Sequence, residues 1–291
     1  MGRRVSIVMY HYVRDLKASR YPEIKGLDLS RFRAQLDHIC RDYTVITMEE
    51  LLAAVRDARD LPPRAALLTF DDGYRDHFTN VFPVLDERGL QGSFFPPAQA
   101  VTQNTALDVN KIHFVLAAVS DKAVLVDEMF AMIDEARREH GLAAKEDYYE
   151  RFAHATRFDP AEVVFVKKLL QRELPEAARR MMTDRLFQKH VTSDEAAFSQ
   201  ELYMSLDQVR CIKEHGMFIG SHGFVHSWLD TLSPEAQRRE VSLSLEFLAA
   251  VGCGTDEWVM CYPYGAYNDS LLDILRSSGC RVGLATKVGV A

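Results

Sequence analysis

Residues 65–73 read AALLTFDDG, an apolar run of strand length that ends in two adjacent carboxylates and a glycine. A short continuous apolar run bounded by turn residues is typical of a strand that is buried on both faces. If such strands form a parallel barrel, the residues after their carboxyl ends gather on one rim. Three other segments share this arrangement: Val5–Tyr10 before His11, Met217–Gly220 before Ser221–His226, and Trp258–Tyr262 before Pro263–Gly265.

Strand and helix patterns alternate along most of the chain, which is typical of a parallel α/β sheet. The absence of Gly-x-Gly-x-x-Gly after any predicted strand argues against a dinucleotide-binding sheet. The pattern favours a barrel or near-barrel over an open doubly wound sheet. Seven strands are predicted: Val5–Tyr10, Tyr43–Ile46, Ala65–Phe70, Gly92–Phe95, Met217–Gly220, Trp258–Tyr262 and Arg281–Ala285.

Helices are predicted between these strands from apolar residues at helical spacing. Asp28 or Ser30 can cap the first helix, and Ser233 can cap the helix that starts at Pro234. The predicted helices are Leu29–Arg41, Met48–Ala58, Arg75–Arg88, Leu206–Glu214, Pro234–Ala250 and Ser270–Ser277.

Residues 103–200 differ in character, because they are helix-prone throughout. A connection this long inside a strand-helix-strand unit is normally an inserted subdomain or a lid. We therefore predict a barrel formed by residues 1–102 and 201–291 and an inserted helical subdomain at 103–200. Its predicted helices are Lys111–Ser120, Val124–His140, Asp147–His154 and Pro160–Leu174.

Composition and charge exclude several classes of protein. The net charge of −7 argues against a nucleic-acid partner, because phosphate binding needs clustered cations. No apolar run approaches the ~18–20 residues that cross a bilayer. The five cysteines form no Cys-x-x-Cys pair, so we expect reduced thiols. The apolar stretch after Met1 is short for a signal peptide, and together with the reduced thiols this favours a cytoplasmic protein. Nothing in the sequence sets an oligomeric state.

The histidines after the strand at 217–220 are candidate metal ligands. His222 and His226 are four residues apart and can bind one ion from a helical turn or a curled loop. The pair alone is weak evidence, and Asp-Asp-Gly at 71–73 alone could be a turn. Two imidazoles and a carboxylate together form a ligand set that zinc, cobalt, nickel and iron all accept. A second carboxylate could then take a proton from the metal-bound water, whose pKa falls towards ~7.

Two further rim features suit hydrolysis of an amide. Hydrolysis needs an acid that protonates the departing nitrogen, and His11 lies on the same predicted rim. It also needs a hydrogen-bond donor for the oxyanion, which a backbone N–H of the turn at 262–265 can supply. These residues point to a metal-assisted hydrolase.

The motifs TFDDG at 69–73, SHGFVH at 221–226 and YPYG at 262–265 resemble, in this order, the signature motifs of the polysaccharide deacetylases. This is the NodB-homology group, carbohydrate esterase family 4. The resemblance implies a distorted (β/α)7 barrel and a divalent metal, zinc before cobalt, nickel or iron. It also implies removal of an N-acetyl or related acyl group from an amino sugar of a glycan.

The resemblance implies a role for each matching residue: Asp71 as general base, Asp72, His222 and His226 as metal ligands, and Tyr264 as donor of a backbone N–H to the oxyanion. In circularly permuted members, which include exopolysaccharide deacetylases, a Tyr-His pair on the first strand supplies the acid. Tyr10-His11 looks like this pair, so the acid is assigned to His11. The chain departs from the family pattern at Gly223, which replaces a Ser or Thr, and in lacking an arginine before the Pro-Tyr turn, where Met260–Tyr262 stands.

Other functions remain open from the sequence. The same site could act on a formamido sugar or a cyclic amide, and the departures are compatible with a non-catalytic carbohydrate-binding or scaffold protein. A non-haem iron oxygenase also uses two histidines and a carboxylate, although the second aspartate and the oxyanion turn argue against it. A cytoplasmic deacetylase would act on a lipid-linked or nucleotide-linked precursor, as in O-antigen or exopolysaccharide biosynthesis.

Overall fold

The computed structural model describes residues 4–287, and they form two compact units. The first comprises the described residues up to Leu16, then Gly26–Thr105, and those from Ser199 onward. The second comprises Lys17–Lys25 and Ala106–Phe198. The sequence-based boundaries for the insertion were 103 and 200, and the membership of Lys17–Lys25 was not predicted.

The first unit is built on parallel strands. All seven predicted strands occur, and a pair of two-residue strands is added after the first. Within residues 4–287 the strands are β1 (Val5–Tyr10), β2 (Val13–Arg14), β3 (Leu27–Asp28), β4 (Thr44–Val45), β5 (Ala65–Asp71), β6 (Ser93–Phe95), β7 (Phe218–Ile219), β8 (Trp258–Cys261) and β9 (Cys280–Leu284).

The main sheet has the order β1-β5-β6-β7, and β4 pairs with the start of β5. A parallel bridge between Ser221 and Met260 leads from the end of β7 to β8, which pairs with β9. Every pairing between these strands is parallel. The carboxyl ends of the strands therefore lie at one edge of the sheet, and the candidate catalytic and metal-ligating residues follow the strands at this edge.

Strand β5 is apolar at every position except Thr69 and Asp71, because both of its faces are covered. Leu68 and Phe70 belong to a large core cluster on one face, and Leu67 belongs to a second cluster on the other. Each of these three side chains is fully buried, which contributes roughly 1.5–3 kcal/mol apiece relative to exposure. This burial fixes the strand that carries the two aspartates.

Side-chain caps begin several of the helices, and the caps at Asp28 and Ser233 are the predicted ones. The side chain of Asp28 accepts from Ser30 N, and Thr47 and Ser205 form capping boxes with the residue three positions later. Ser233 caps the helix that starts at Pro234. The helices are α1 (Leu29–Asp42), α2 (Met48–Asp57), α3 (Phe82–Glu87), α4 (Ala98–Thr102), α5 (Asp108–Ala118), α6 (Lys122–His140), α7 (Lys145–Phe152), α8 (Ala161–Lys168), α9 (Glu176–His190), α10 (Glu195–Leu202), α11 (Leu206–Glu214), α12 (Pro234–Ala250) and α13 (Asp269–Ser277).

None of the helices within residues 4–287 combines the length and the apolar composition that a bilayer-crossing segment requires.

The predicted helix Arg75–Arg88 contains a π-helical turn, His77–Val81, before α3. Pro83 has no N–H, so it cannot make the hydrogen bond to the residue four positions earlier. One residue before this proline, the N–H of Phe82 donates to the carbonyl of His77, five positions back, which is the π-helical hydrogen bond. Such wide turns occur often at functional sites.

The second unit is helical, and its buried charge is neutralised within it. Lys111 on α5 has a side chain that is 5% exposed, and its Nζ lies 2.6 Å from Asp184 Oδ1 and 3.0 Å from Glu195 Oε1. Two carboxylates around one buried ammonium repay its loss of hydration. Lys25 forms an ion pair with Asp159, which joins the short segment to this unit.

Candidate active site and metal centre

Asp71 and Asp72 lie where β5 ends, in the turn that the apolar run predicts. Asp71 is the last residue of the strand, and Asp72 adopts a left-handed backbone with φ of 71°. Gly73 follows with φ of 67°, and a Cβ at this position would lie 2.6 Å from Pro96 Cβ. At this edge the Asp71 carboxylate contacts Cys261, and the Asp72 carboxylate faces His222 and His226.

The loop after β7 carries the two histidines. His222 Nδ1 lies 2.6 Å from the carbonyl of Cys261, and a carbonyl only accepts, so Nδ1 carries the proton and Nε2 presents a lone pair. His226 has φ of 59°, which is rare for a residue with a side chain and costs roughly 1–3 kcal/mol. Such strain is typical of a ligand or catalytic position.

The predicted ligand set comes together. Nε2 of His222 and of His226 lie 3.6 and 3.4 Å from Asp72 Oδ1. One ligand atom from each residue lies within 4.8 Å of the others, and all three side chains are buried. The predicted cluster of Asp72, His222 and His226 therefore exists as a compact group.

The donor chemistry of this group fits a cation. Asp72 Oδ1 is buried and accepts no hydrogen bond from any described residue. Burial lowers the pKa of His222 to about 3, so the imidazole is neutral near pH 7. Its Nε2 then carries a lone pair, and two hydrogen-bond acceptors, Nε2 and Asp72 Oδ1, face each other. A buried oxygen and a buried imidazole lone pair left unpaired are costly, and a divalent ion between them would satisfy both.

The pKa values of the two aspartates move apart. Burial raises the pKa of Asp71 to about 7, against the opposing effect of the nearby His11. Burial also opposes ionisation of Asp72, but its electrostatic interactions with the neighbouring histidines, His226 first, outweigh burial and lower the pKa of Asp72 below its usual value. Two carboxyl groups with separated pKa values can serve as a permanent anion and as a base.

Tyr74 fixes the second oxygen of Asp72. Its hydroxyl donates to Asp72 Oδ2 at 2.5 Å, which leaves Oδ1 directed at the histidines. The ring of Tyr12 stacks on Tyr74 at a centroid distance of 4.0 Å, and Tyr203 stacks at 6.3 Å. This stack orients the hydroxyl and, through it, the candidate ligand.

His11 follows β1 beside the aspartates, as predicted. Tyr10 pairs with Phe70 in the parallel register, so His11 comes level with Asp71. Burial is the larger influence on the pKa of Asp71 and raises it, and the electrostatic interaction with His11 opposes that rise. His77 Nε2 lies 2.8 Å from the carbonyl of His11, and the buried His77 thereby fixes the backbone that carries the predicted acid.

The Pro-Tyr-Gly turn borders the same cluster. Tyr264 has φ of 58°, and its ring meets the edge of His226 at a centroid distance of 4.7 Å. Trp228 stacks on Tyr264 at 4.2 Å. Gly265 has φ of 71°, and a Cβ there would lie 2.3 Å from Thr286 Oγ1. Only glycine therefore fits after Tyr264, the residue predicted to offer its N–H.

Two residues that contact the site were not predicted to have a role. The thiol of Cys261 lies 3.5 Å from both carboxylate oxygens of Asp71. Glu240 Oε2 accepts hydrogen bonds from Phe224 N at 2.8 Å and Val225 N at 3.2 Å, which braces the histidine loop beside Gly223. The sequence could have indicated a role for Glu240, because an acidic residue on the buried face of a helix needs nearby hydrogen-bond donors.

The sequence matches the polysaccharide deacetylase family over residues 58–136 and 175–283, more than half of the chain. The poly-beta-1,6-N-acetyl-D-glucosamine N-deacetylase of Escherichia coli (strain K12) is 32% identical over 79 residues, 27% of this chain and 12% of that protein. The chain thus spans well under half the length of this relative.

Solved structures share the fold. A Streptococcus pyogenes deacetylase, PplD in complex with acetate, superposes with a TM-score of 0.58 at 16% identity, covering 99% of this chain and 86% of the other. IcaB from Ammonifex degensii gives 0.57 at 18%, covering 99% and 85%. The predicted distorted barrel is thereby confirmed. With the family match spanning both aspartates and both histidines, the chain belongs to the polysaccharide deacetylase family, a family of hydrolases.

Proposed function

We propose that this protein is a metal-dependent hydrolase that removes an N-acyl group, acetyl in the first instance, from an amino sugar of a glycan. The observation that carries the proposal is the buried cluster of Asp72, His222 and His226 with a second carboxylate, Asp71, beside it. A metal site alone would suit many functions. The additional carboxylate of raised pKa suits proton transfer in hydrolysis.

Asp72, His222 and His226 would hold the ion, for which zinc is our first choice, ahead of cobalt, nickel and iron. When bound, a divalent ion lowers the pKa of water and polarises a carbonyl oxygen. Tyr74 and the Cys261 carbonyl support the ligands by orienting Asp72 and His222. Such supporting hydrogen bonds fix the tautomer and the direction of the ligand atoms.

Asp71 takes the proton of the attacking water, since its pKa of about 7 allows it to accept a proton near neutral pH. The backbone N–H of Tyr264 donates to the oxyanion that forms on the acyl carbon. His11 then donates a proton to the departing nitrogen, which leaves as a free amine. Asp71 and His11 thus act as base and acid in one reaction.

The position of His11 also supports the circularly permuted subtype, in which the acid histidine follows the first strand. The relative from Escherichia coli is named for poly-beta-1,6-N-acetyl-D-glucosamine, which makes β-1,6-linked N-acetylglucosamine oligomers the first substrates to test. We propose a role in the biosynthesis of an exopolysaccharide or an O-antigen. The predicted cytoplasmic location stays a prediction.

The experiment incubates the zinc-loaded protein with β-1,6-linked N-acetylglucosamine oligomers and other N-acetylated and N-formylated amino-sugar glycans. Mass spectrometry of the glycan and measurement of free acetate and formate identify the acyl group. We expect release by the wild type and none by Asp71→Asn, with Asp86→Asn on the exposed side of α3 as the matched control. Glycan binding without release by the wild type would favour a carbohydrate-binding function instead.

A further inference from the structure

The Cys261 side chain lies against the carboxylate of Asp71. Its Sγ is 3.5 Å from each of the two carboxylate oxygens, and the residue is 7% exposed. These distances suit a weak S–H···O hydrogen bond. Among the described residues, Cys261 is the only side chain that donates a hydrogen bond to Asp71.

The backbone of Cys261 is held on both sides, which fixes the chain from which the thiol projects. Its N–H donates to the carbonyl of Ser221 at 2.8 Å, and its own carbonyl accepts from His222 Nδ1 at 2.6 Å. One residue of β8 therefore touches the proposed base through its side chain and a candidate metal ligand through its backbone. Those two contacts set Asp71 and His222 relative to each other.

We propose that Cys261 is a positioning residue for Asp71, whose thiol holds the carboxylate in the orientation that accepts the proton of the attacking water. The inference rests on the proposed function. It goes beyond it by assigning a role to a residue outside the candidate ligand group of Asp72, His222 and His226. A packing role alone would need only the volume of Cys261, so its hydrogen-bond donor separates the two explanations.

The kinetic test compares Cys261→Ala, which removes the donor, with Cys261→Ser, which keeps one. Misplacement of a reacting group lowers turnover far more than binding, so Cys261→Ala should reduce kcat about tenfold with KM and zinc stoichiometry unchanged. Cys261→Ser should retain kcat to within roughly threefold of the wild type. Cys253→Ala, at a partly buried cysteine outside the site, should match the wild type.

Wild-type kcat in Cys261→Ala would overturn the inference, and so would an equal loss in Cys261→Ser and Cys261→Ala. A second readout needs no activity. The infrared S–H stretching band, assigned to Cys261 by its loss in Cys261→Ala, should move to higher wavenumber in Asp71→Ala, where the acceptor is gone. An unmoved band overturns the inference, whereas a moved band in a protein without turnover on any glycan counts against the proposed function alone.

Discussion

Replacing Glu240 by alanine should weaken metal binding, although Glu240 is not itself a candidate ligand. Its Oε2 accepts from the backbone N–H groups of Phe224 and Val225, which lie between the two histidines. Without the carboxylate, these two donors lose their partner and the loop between His222 and His226 loses its support. Ordering the two histidines then costs free energy when the ion binds, which lowers the net affinity for the ion.

The expected loss follows from the two hydrogen bonds. Phe224 and Val225 are only half-buried, so water can replace part of what the carboxylate supplies. We therefore take roughly 1–3 kcal/mol for the two donors together, which is the usual cost of leaving one buried donor unsatisfied. If ion binding has to supply this free energy in order to order the loop, zinc affinity falls about 5- to 150-fold.

The assay is zinc titration by isothermal calorimetry with a competing chelator. Glu240→Gln is the informative partner variant, because both N–H groups donate to a single oxygen that an amide oxygen can replace. It should bind zinc to within about threefold of the wild type. Glu246→Ala, an exposed acidic residue on the same helix, is the matched control and should leave zinc affinity unchanged. Wild-type affinity in Glu240→Ala would show that the carboxylate does not support the histidine loop.

Three further predictions concern the aspartates and the turn. The pKa of Asp71 rises from 3.8 to about 7 on folding, so the metal-free protein should lose stability as the pH rises from 3.8 to about 7. In thermal unfolding scans, Asp71→Asn should reduce this dependence of stability on pH. An unchanged dependence would count against the raised pKa. Tyr74→Phe removes the hydroxyl that holds Asp72 and should weaken zinc binding roughly 10- to 100-fold in the same titration, while equal affinity would exclude a positioning role. Gly265→Ala should lower the melting temperature measurably, because its Cβ would overlap Thr286 and its φ is positive; a neutral result would mean that the turn adapts.

The strands and the candidate ligands could be predicted because they depend on local patterns. A buried parallel strand must be apolar, and the rule that its carboxyl end faces the common rim brings Asp72 and His222 together without any knowledge of distances. The helix caps at Asp28 and Ser233 are likewise local and were predicted.

The contacts that support the site could not be predicted in this way. Cys261 and Asp71 are 190 residues apart, and their contact depends on the position of β8 relative to β5. The left-handed backbones of Asp72, His226 and Tyr264 were also missed, since sequence patterns assign such conformations to glycine. Tertiary packing stabilises these three conformations, and all three residues border the candidate metal centre.

We expect Asp72, His222 and His226 to hold one divalent ion. Anomalous diffraction from crystals grown with zinc measures whether an ion is bound there. One strong peak should lie at about 2.0–2.2 Å from Asp72 Oδ1 and from Nε2 of each histidine, and it should be lost in crystals of Asp72→Ala. A peak elsewhere, or no peak while these three atoms remain clustered, would show that the three residues do not form a metal site.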